Sequence, residues 1–275
     1  MKPTVLELRR KKGARLAMLT AYDFPSARLV AEAGIELILV GDSLGMVVLG
    51  YGSTLPVTMD DMVHHTKATR RGAPEAFVIA DLPFLSYGTP EQALANAARL
   101  MKEAGADSVK LEGGAEIVPI VEALARAGVP VLGHVGLTPQ TASALGGYKL
   151  QGKDEENARR IMEGAQALER AGCWGVVLEL VPSPLARLVT ERIAVPTIGI
   201  GAGAHCDGQV LVFHDLVGLF AGFTPSFVKR YAEAGAAIRD AVARYAADVR
   251  NGSFPAEGQS FGMKDEVLKR VMESR

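Results

Sequence analysis

Residues 36–42 read ELILVGD, four apolar residues followed by a glycine and an aspartate. A run that is apolar at consecutive positions is typical of a strand buried on both faces of a parallel sheet. Seven similar runs occur elsewhere in the chain: RLAMLT (15–20), AFVIAD (76–81), DSVKLE (107–112), VPVLGHV (129–135), GVVLEL (175–180), VPTIGIG (195–201) and VLVFHD (210–215). The sequence therefore predicts eight parallel strands.

Longer amphipathic segments separate these strands and predict helices. They cover residues 24–33, 58–71, 90–104, 116–127, 155–171 and 183–193. Eight strand–helix units in 275 residues favour an α/β fold of the (β/α)8 TIM-barrel type, with a doubly wound open sheet as the alternative. We expect a single domain over residues 1–275, with a last long helix over 222–249 and a tail made of a loop and a short charged end.

The composition excludes several classes of partner. Lys and Arg number 30 and Asp and Glu number 31, so no basic excess favours nucleic acid or an anionic membrane. The two cysteines, Cys173 and Cys206, are too few for a disulfide scaffold and lack C-x-x-C spacing, which fits a reducing cytosol. No run of about 18 uncharged apolar residues is present in the sequence. We therefore expect a soluble, cytoplasmic protein that acts on small molecules.

Residues 41–45, GDSLG, match the G-x-S-x-G pattern of a serine hydrolase. That pattern requires the serine at a turn between a strand and a helix. No helix signal follows before Thr58, where Thr58 and Asp61 resemble a capping box. We therefore do not interpret Ser43 as the nucleophile of a catalytic triad.

Polar residues end five consecutive predicted strands. They are Asp42, Asp81, Glu112, His134 and Glu179. In a barrel these strand ends share one rim, and active sites of this fold are built there. A single acid after a strand is often a turn former or a helix cap, but four carboxylates at one rim favour a shared site.

Several carboxylates in one cleft repel one another unless a cation offsets their charge. Asp42, Asp81 and Glu112 offer only oxygen ligands. Such ligands favour a hard divalent ion, and Mg²⁺ is the first candidate. Lys110 lies two residues before Glu112 and so faces the same side of its strand. It could pair with these carboxylates, bind a substrate carboxylate or form a Schiff base.

Several motifs occur in one order between Arg15 and Phe261: MLTAYDFPSARLVAEAG, ILVGDSLGMVVLGYGSTLPVT, IADLPFLSYG, VKLEGG, GHVGLTPQ, LELVP, IGIGAG and DGQVLVFHDLVGLF. Together they resemble the ketopantoate hydroxymethyltransferase family. The resemblance implies a Mg²⁺-binding (β/α)8 barrel that forms large homo-oligomers, typically decamers. It also implies transfer of a hydroxymethyl group from methylene-tetrahydrofolate to α-ketoisovalerate through a Mg-stabilised enolate, giving ketopantoate for pantothenate synthesis.

The resemblance also implies roles for single residues. Asp42, Asp81 and Glu112 match the family's metal positions, and Asp42, Ser43, Asp81 and Lys110 match its substrate contacts. Glu179 matches the catalytic base, with a surface pair to a nearby arginine such as Arg187 as its alternative, and His134 matches a supporting position. The chain departs from the family's usual residues at Gly52, Leu82 and Gln259, none of which belongs to the proposed metal set.

Other functions stay open at this point. A metal-dependent carbon–carbon lyase acting on oxo-acids would use the same three carboxylates. The loop GIGAGA at 199–204 follows the seventh strand, where barrels often bind phosphate, and so allows an isomerase of phospho-substrates. A catalytically silent barrel that serves as a binding module is the third alternative.

Overall fold

The computed structural model describes residues 2–220 and 222–274, and its eight parallel strands close into a barrel. The strands are β1 (Leu16–Thr20), β2 (Leu37–Val40), β3 (Phe77–Asp81), β4 (Ser108–Lys110), β5 (Val131–Gly136), β6 (Gly175–Glu179), β7 (Thr197–Ile200) and β8 (Gly208–Leu211). Because β8 pairs with β1, the barrel is closed and the open-sheet alternative is wrong. The predicted (β/α)8 barrel is confirmed.

Helices surround the barrel and extend the chain beyond it. They are α1 (Val5–Arg10), α2 (Phe24–Glu32), α3 (Leu44–Val47), α4 (Met59–Gly72), α5 (Pro90–Ala98), α6 (Val118–Arg126), α7 (Glu155–Ala171), α8 (Ser183–Arg192), α9 (Phe213–Leu216), α10 (Ala234–Asn251) and α11 (Asp265–Glu273). The predicted capping box is present at α4, where the Thr58 side chain accepts from the Asp61 N–H at 3.1 Å and Asp61 accepts from the Thr58 N–H at 2.9 Å.

Side chains of the strands point alternately outward and inward and form two apolar layers. Ile38 and Val78 point outward and pack with the helices, whereas Leu37, Phe77 and other alternate residues pack inside the barrel. Leu8 of α1 joins the inner layer. The inner positions are therefore apolar near the strand starts, which leaves the other end of the barrel interior for polar groups.

Several elements differ from the sequence prediction. The last strand was expected at 210–215 and lies at Gly208–Leu211. It begins at Gly208, where β8 comes so close to β1 that a Cβ would lie 2.9 Å from the Leu16 carbonyl oxygen. Residues 213–216 form α9 instead. The long helix expected over 222–249 begins only at Ala234, since Gly222 and Pro225 disfavour helix in the segment before it. The short charged end of the tail, for which no helix was predicted, forms α11. Likewise, α3 follows Ser43, where no helix was expected.

In residues 2–220 and 222–274, no helix is both long and apolar enough to cross a membrane.

Candidate active site

The polar residues that end the strands converge at the C-terminal end of the barrel. All of those predicted for the site line one cavity of about 420 Å³: Asp42, Ser43, Asp81, Lys110, Glu112, His134 and Glu179. We call four of its carboxylates, Asp42, Asp81, Glu112 and Glu179, the acidic floor. Inward-facing positions that are apolar lower in the strands, such as Ile79 and Val177, become Asp81 and Glu179 at the strand ends.

Lys110 is the positive charge among these carboxylates. Its Nζ lies 3.2 Å from Asp81 Oδ2, 3.7 Å from Glu112 Oε1 and 3.3 Å from His134 Nδ1. Burial alone would lower the pKa of Lys110, but the neighbouring carboxylates outweigh burial and raise that pKa. Because a protonated amine does not attack a carbonyl, this arrangement favours ion pairing and substrate binding over a Schiff base.

Asp42 and Asp81 are adjacent and almost inaccessible to solvent. The Asp42 N–H donates to Asp81 Oδ2 at 3.0 Å. Burial raises the pKa of both carboxyl groups, and repulsion from Asp81 raises that of Asp42 further. Asp81 Oδ1 is buried and has no hydrogen-bond partner in the described chain. A buried oxygen of this kind calls for a donor or a cation.

Gln140 is a site residue that sequence reasoning missed. Its backbone N–H donates to Glu112 Oε2 at 3.0 Å, and its side-chain amide donates to Asp42 Oδ2 at 2.8 Å and to the Leu82 carbonyl at 3.0 Å. The Tyr87 hydroxyl donates to Gln140 Oε1 at 2.6 Å, so the amide nitrogen is the atom that faces Asp42. The GLTPQ motif contained the residue, but an uncharged side chain gave no cue to its contacts.

Ser43 makes a hydrogen bond with Tyr22, with 2.8 Å between the two hydroxyl oxygens. The helix α3 begins directly after Ser43, so the sequence argument against a hydrolase elbow was wrong on that point. Ser43 nevertheless lacks the contacts of a triad nucleophile. Among the described residues no histidine makes a hydrogen bond with Ser43, and His65 bonds the Tyr22 carbonyl oxygen instead, at 2.6 Å.

Glu179 is the most accessible acid of the floor, with 17% of its side chain exposed. Its Oε2 lies 3.3 Å from His134 Nε2. The expected alternative, a pair with Arg187, is wrong, because Arg187 pairs with Glu191 at 2.8 Å. Burial and the charge of Lys110 lower the pKa of His134, which favours a neutral imidazole beside Glu179.

The acidic floor offers the donors that a hard divalent cation prefers. Its four carboxylates face one lysine, and Asp81 Oδ1 lacks a partner among the described residues. Over residues 2–220 and 222–274, no group of three or more His, Cys, Asp or Glu side chains is arranged to hold a metal ion by itself. Mg²⁺ commonly takes one or two carboxylates and completes its shell with water and substrate. Asp42 and Asp81 fit that demand.

Most of the remaining cavity wall is apolar and aromatic. It includes Met46, Tyr148, Phe220, Phe223, Pro225 and Phe227. Four of these residues lie in 220–228, which the sequence analysis did not include in the site because most of that segment was predicted as helix. One further acid, Asp215, lines the same cavity and was also missed. It ends the predicted eighth strand, but the site was predicted only from the second to the sixth strand.

The glycine loop after β7 is explained by packing. A Cβ at Gly201 would lie 2.8 Å from the Phe227 ring, and one at Gly203 would lie 2.3 Å from the Ser183 hydroxyl oxygen. Both glycines also have positive φ angles, of 62° and 79°. These contacts account for the motif without a phosphate ligand.

Comparison with known proteins identifies the family. The family model described as ketopantoate hydroxymethyltransferase matches residues 2–257. The 3-methyl-2-oxobutanoate hydroxymethyltransferase of Thermus thermophilus is 65% identical over 261 residues, which cover 95% of this chain and 100% of that protein. The enzyme of the same name from Deinococcus radiodurans is 58% identical, over 94% of this chain and 92% of its own length.

Solved structures of the same architecture are more distant in sequence. A phosphonopyruvate hydrolase superimposes with a TM-score of 0.60 at 15% identity, over 99% of both chains. A 2,3-dimethylmalate lyase gives a TM-score of 0.57 at 18% identity, over 99% of this chain and 95% of that one. These similarities support the barrel fold alone.

The high-identity relatives decide between the functional alternatives. They carry the hydroxymethyltransferase name over nearly the full length of the chain, so the lyase, phospho-substrate isomerase and silent-barrel alternatives are not supported. The chain is a transferase enzyme and belongs to the ketopantoate hydroxymethyltransferase family.

Proposed function

We propose that this enzyme moves a hydroxymethyl group from methylene-tetrahydrofolate to carbon 3 of α-ketoisovalerate, giving ketopantoate for pantothenate synthesis, with Mg²⁺ as its metal. The observation that carries this proposal is the acidic floor, where buried carboxylates surround Lys110 while Glu179 stays open to the cavity. Such a site can bind an anionic keto-acid and remove a proton from it.

Lys110 and Ser43 are the proposed contacts for the keto-acid. The ammonium group of Lys110 supplies positive charge, and the Ser43 hydroxyl and backbone N–H supply donors for a carboxylate. Apolar residues at the edge of the floor, Leu39, Val177 and Val210, offer contacts for the isopropyl group. The substrate would thus lie with its polar end on the floor.

Asp42 and Asp81 would hold Mg²⁺, with Glu112 as a further ligand. When bound, the ion would draw electron density from the keto group and make the carbon-3 proton more acidic. Asp42 is oriented by Gln140, and Asp81 by the Asp42 N–H. These hydrogen bonds keep the two carboxylates together while they repel each other.

Glu179 would take the carbon-3 proton, with His134 beside it. Because the Lys110 ammonium faces His134 Nδ1, a neutral imidazole carries its proton on Nε2, which lies 3.3 Å from Glu179 Oε2. The resulting enolate carbon would bond to the one-carbon unit, whose two C–N bonds to the donor break, and water would supply the hydroxyl oxygen. The two protons of water and the proton taken by Glu179 would end on the two freed nitrogens and the new hydroxyl group. Tetrahydrofolate is the second product.

Exchange of the carbon-3 proton tests this proposal directly. Wild-type enzyme with Mg²⁺ and α-ketoisovalerate in D₂O should exchange that proton without any folate, as followed by NMR. In Glu179→Gln the exchange should slow by a factor on the order of 10²–10⁴, typical for loss of a general base. Binding of the keto-acid should stay near normal in this variant, because the other floor residues remain.

Asp81→Asn is the comparison variant. It removes a proposed metal ligand, so the Mg²⁺ concentration needed for half-maximal exchange should rise, and saturating Mg²⁺ should recover part of the rate. A chelator should stop exchange in the wild type. Exchange at the wild-type rate in Glu179→Gln would assign the base to another residue, with His134 the next to test, and borohydride trapping at Lys110 would contradict the metal-assisted route.

A further inference from the structure

Asp215 is a buried acid in the cavity that the proposed mechanism does not use. It follows β8 on α9, is 8% exposed and lines the cavity. Among the described residues, no side chain makes a hydrogen bond or ion pair with its carboxylate; the nearby guanidinium of Arg230 lies 3.5 Å from Glu233 and 2.5 Å from the Thr224 hydroxyl instead. Its carboxylate oxygens are therefore free to accept hydrogen bonds from a ligand in the cavity.

Asp215 lies beside the floor and is separate from it. The ring of its neighbour His214 is 5.5 Å from the ring of Tyr22, whose hydroxyl bonds Ser43. The Phe213 N–H donates to Thr20 Oγ1 at 2.9 Å, and Thr20 also lines the cavity. These contacts fix α9 next to the substrate end of the site.

Aromatic side chains line the same cavity. Phe220, Phe223 and Phe227 line it on the segment that follows α9, and Phe223 is 83% exposed. The keto-acid has only one isopropyl group to place against apolar surface, so most of this wall is left for another ligand. Exposed aromatic rings with one polar group among them are typical of a small-molecule site.

We propose that Asp215 and these phenylalanines bind the pterin ring of the one-carbon donor. A pterin is flat and stacks on aromatic rings, and its N3–H and 2-amino group form a pair of adjacent donors. Two parallel donors match the two oxygens of a carboxylate, as they do in guanidinium–carboxylate pairs. This inference rests on the proposed function, since it takes the donor to be a reduced folate.

Binding of tetrahydrofolate, which carries no one-carbon unit, tests the assignment. In Asp215→Asn the side chain keeps its shape but loses its charge and one acceptor, so the dissociation constant from calorimetry should rise by about 10–100-fold. Glu75→Gln is the matched control, an exposed carboxylate before the start of β3, and should bind as the wild type does. Phe223→Ala should weaken binding by roughly two- to tenfold through lost stacking.

A ligand variant gives the sharper comparison. A tetrahydrofolate analogue without the 2-amino group should bind wild-type enzyme more weakly, and Asp215→Asn should lose little further affinity for it, because the two changes remove one contact. If Asp215→Asn lost as much affinity for this analogue as it does for tetrahydrofolate, the 2-amino group of the ligand would bind elsewhere. Unchanged tetrahydrofolate binding in folded Asp215→Asn, as judged by its melting temperature, would overturn the proposal.

The carbon-3 exchange assay separates this proposal from the proposed function. Asp215→Asn should exchange the keto-acid proton in D₂O at the wild-type rate, because no folate takes part in that step. Slow exchange in this variant would show a role in keto-acid chemistry and overturn the pterin assignment. Absence of tetrahydrofolate binding by the wild type would instead contradict the proposed donor.

Discussion

A single uncharged side chain, Gln140, joins two carboxylates that come from different strands. Its amide bonds Asp42, its backbone N–H bonds Glu112, and Tyr87 fixes the direction of the amide. Groups that orient metal ligands tune their affinity although they do not touch the metal. Gln140 should therefore act as a positioning residue for the acidic floor.

Gln140→Leu tests this role. Without the amide, Asp42 Oδ2 loses a donor, and the Mg²⁺ concentration that gives half-maximal carbon-3 exchange should rise by about 10–100-fold. Gln92→Leu is the control, because the exposed Gln92 amide also donates to a backbone carbonyl, that of Leu85, at 2.9 Å. An unchanged Mg²⁺ dependence in Gln140→Leu would show that the carboxylates hold their positions without it.

At this scale the sequence predicted the acids and Lys110 as their possible partner, and missed the amide that orients them. Asp42, Asp81, Glu112 and Glu179 were predictable because a barrel brings strand ends together whatever the loops do. Gln140 was not, since its contact with Asp42 joins residues 98 positions apart and depends on how one loop folds over the floor. Charge at a strand end is visible in a sequence, whereas an amide's hydrogen bonds are not.

Among the elements, the pairing of β5 with β6 positions Glu179. Gly136 at the end of β5 pairs with Glu179 and has a φ of 100°. A Cβ there would lie 2.3 Å from the Glu179 backbone oxygen. The close approach of these two backbones therefore requires glycine at position 136 and determines the position of the proposed base, Glu179.

Gly136→Ala should displace the end of β6. We expect carbon-3 exchange to slow on the order of tenfold to hundredfold, because a small displacement of a catalytic base strongly lowers the reaction rate. Gly128→Ala is a matched control: its φ of 82° carries similar backbone strain, but no atom lies within 4 Å of the added Cβ. Denaturant unfolding should show Gly136→Ala less stable than the control by about 1–3 kcal/mol, and equal stability and exchange in the two variants would contradict the steric argument.

Element boundaries could be predicted where an amphipathic pattern extends over many residues. They could not be predicted where tertiary packing determines the element. The helix predicted over 155–171 matches α7 because its amphipathic pattern is sustained and Asp154 caps it. The four residues of α3 follow Gly41, Asp42 and Ser43 and include Gly45, a sequence with low helix propensity. Packing such as that of Gly45 against Val57 determines this helix instead.

In the whole molecule, the C-terminal helices do not join the core. None of the described residues of α10 or α11 is buried. Large apolar side chains of α10 are exposed at positions that share one helix face: Ile238, Val242, Tyr245 and Val249. Exposed apolar surface of this extent is typical of a face covered by another protein chain.

We expect that face to be covered by copies of the same chain. Light scattering at micromolar concentration should give a particle several-fold heavier than the 29.1 kDa chain. Val242→Glu would bury an unpaired charge in the interface and should shift the particle to lower mass, because desolvating that carboxylate opposes association. Arg244→Glu changes an exposed charge on the same helix outside this apolar set and should leave the mass unchanged. A monomeric wild type, or equal masses for wild type and Val242→Glu, would show that α10 does not mediate assembly.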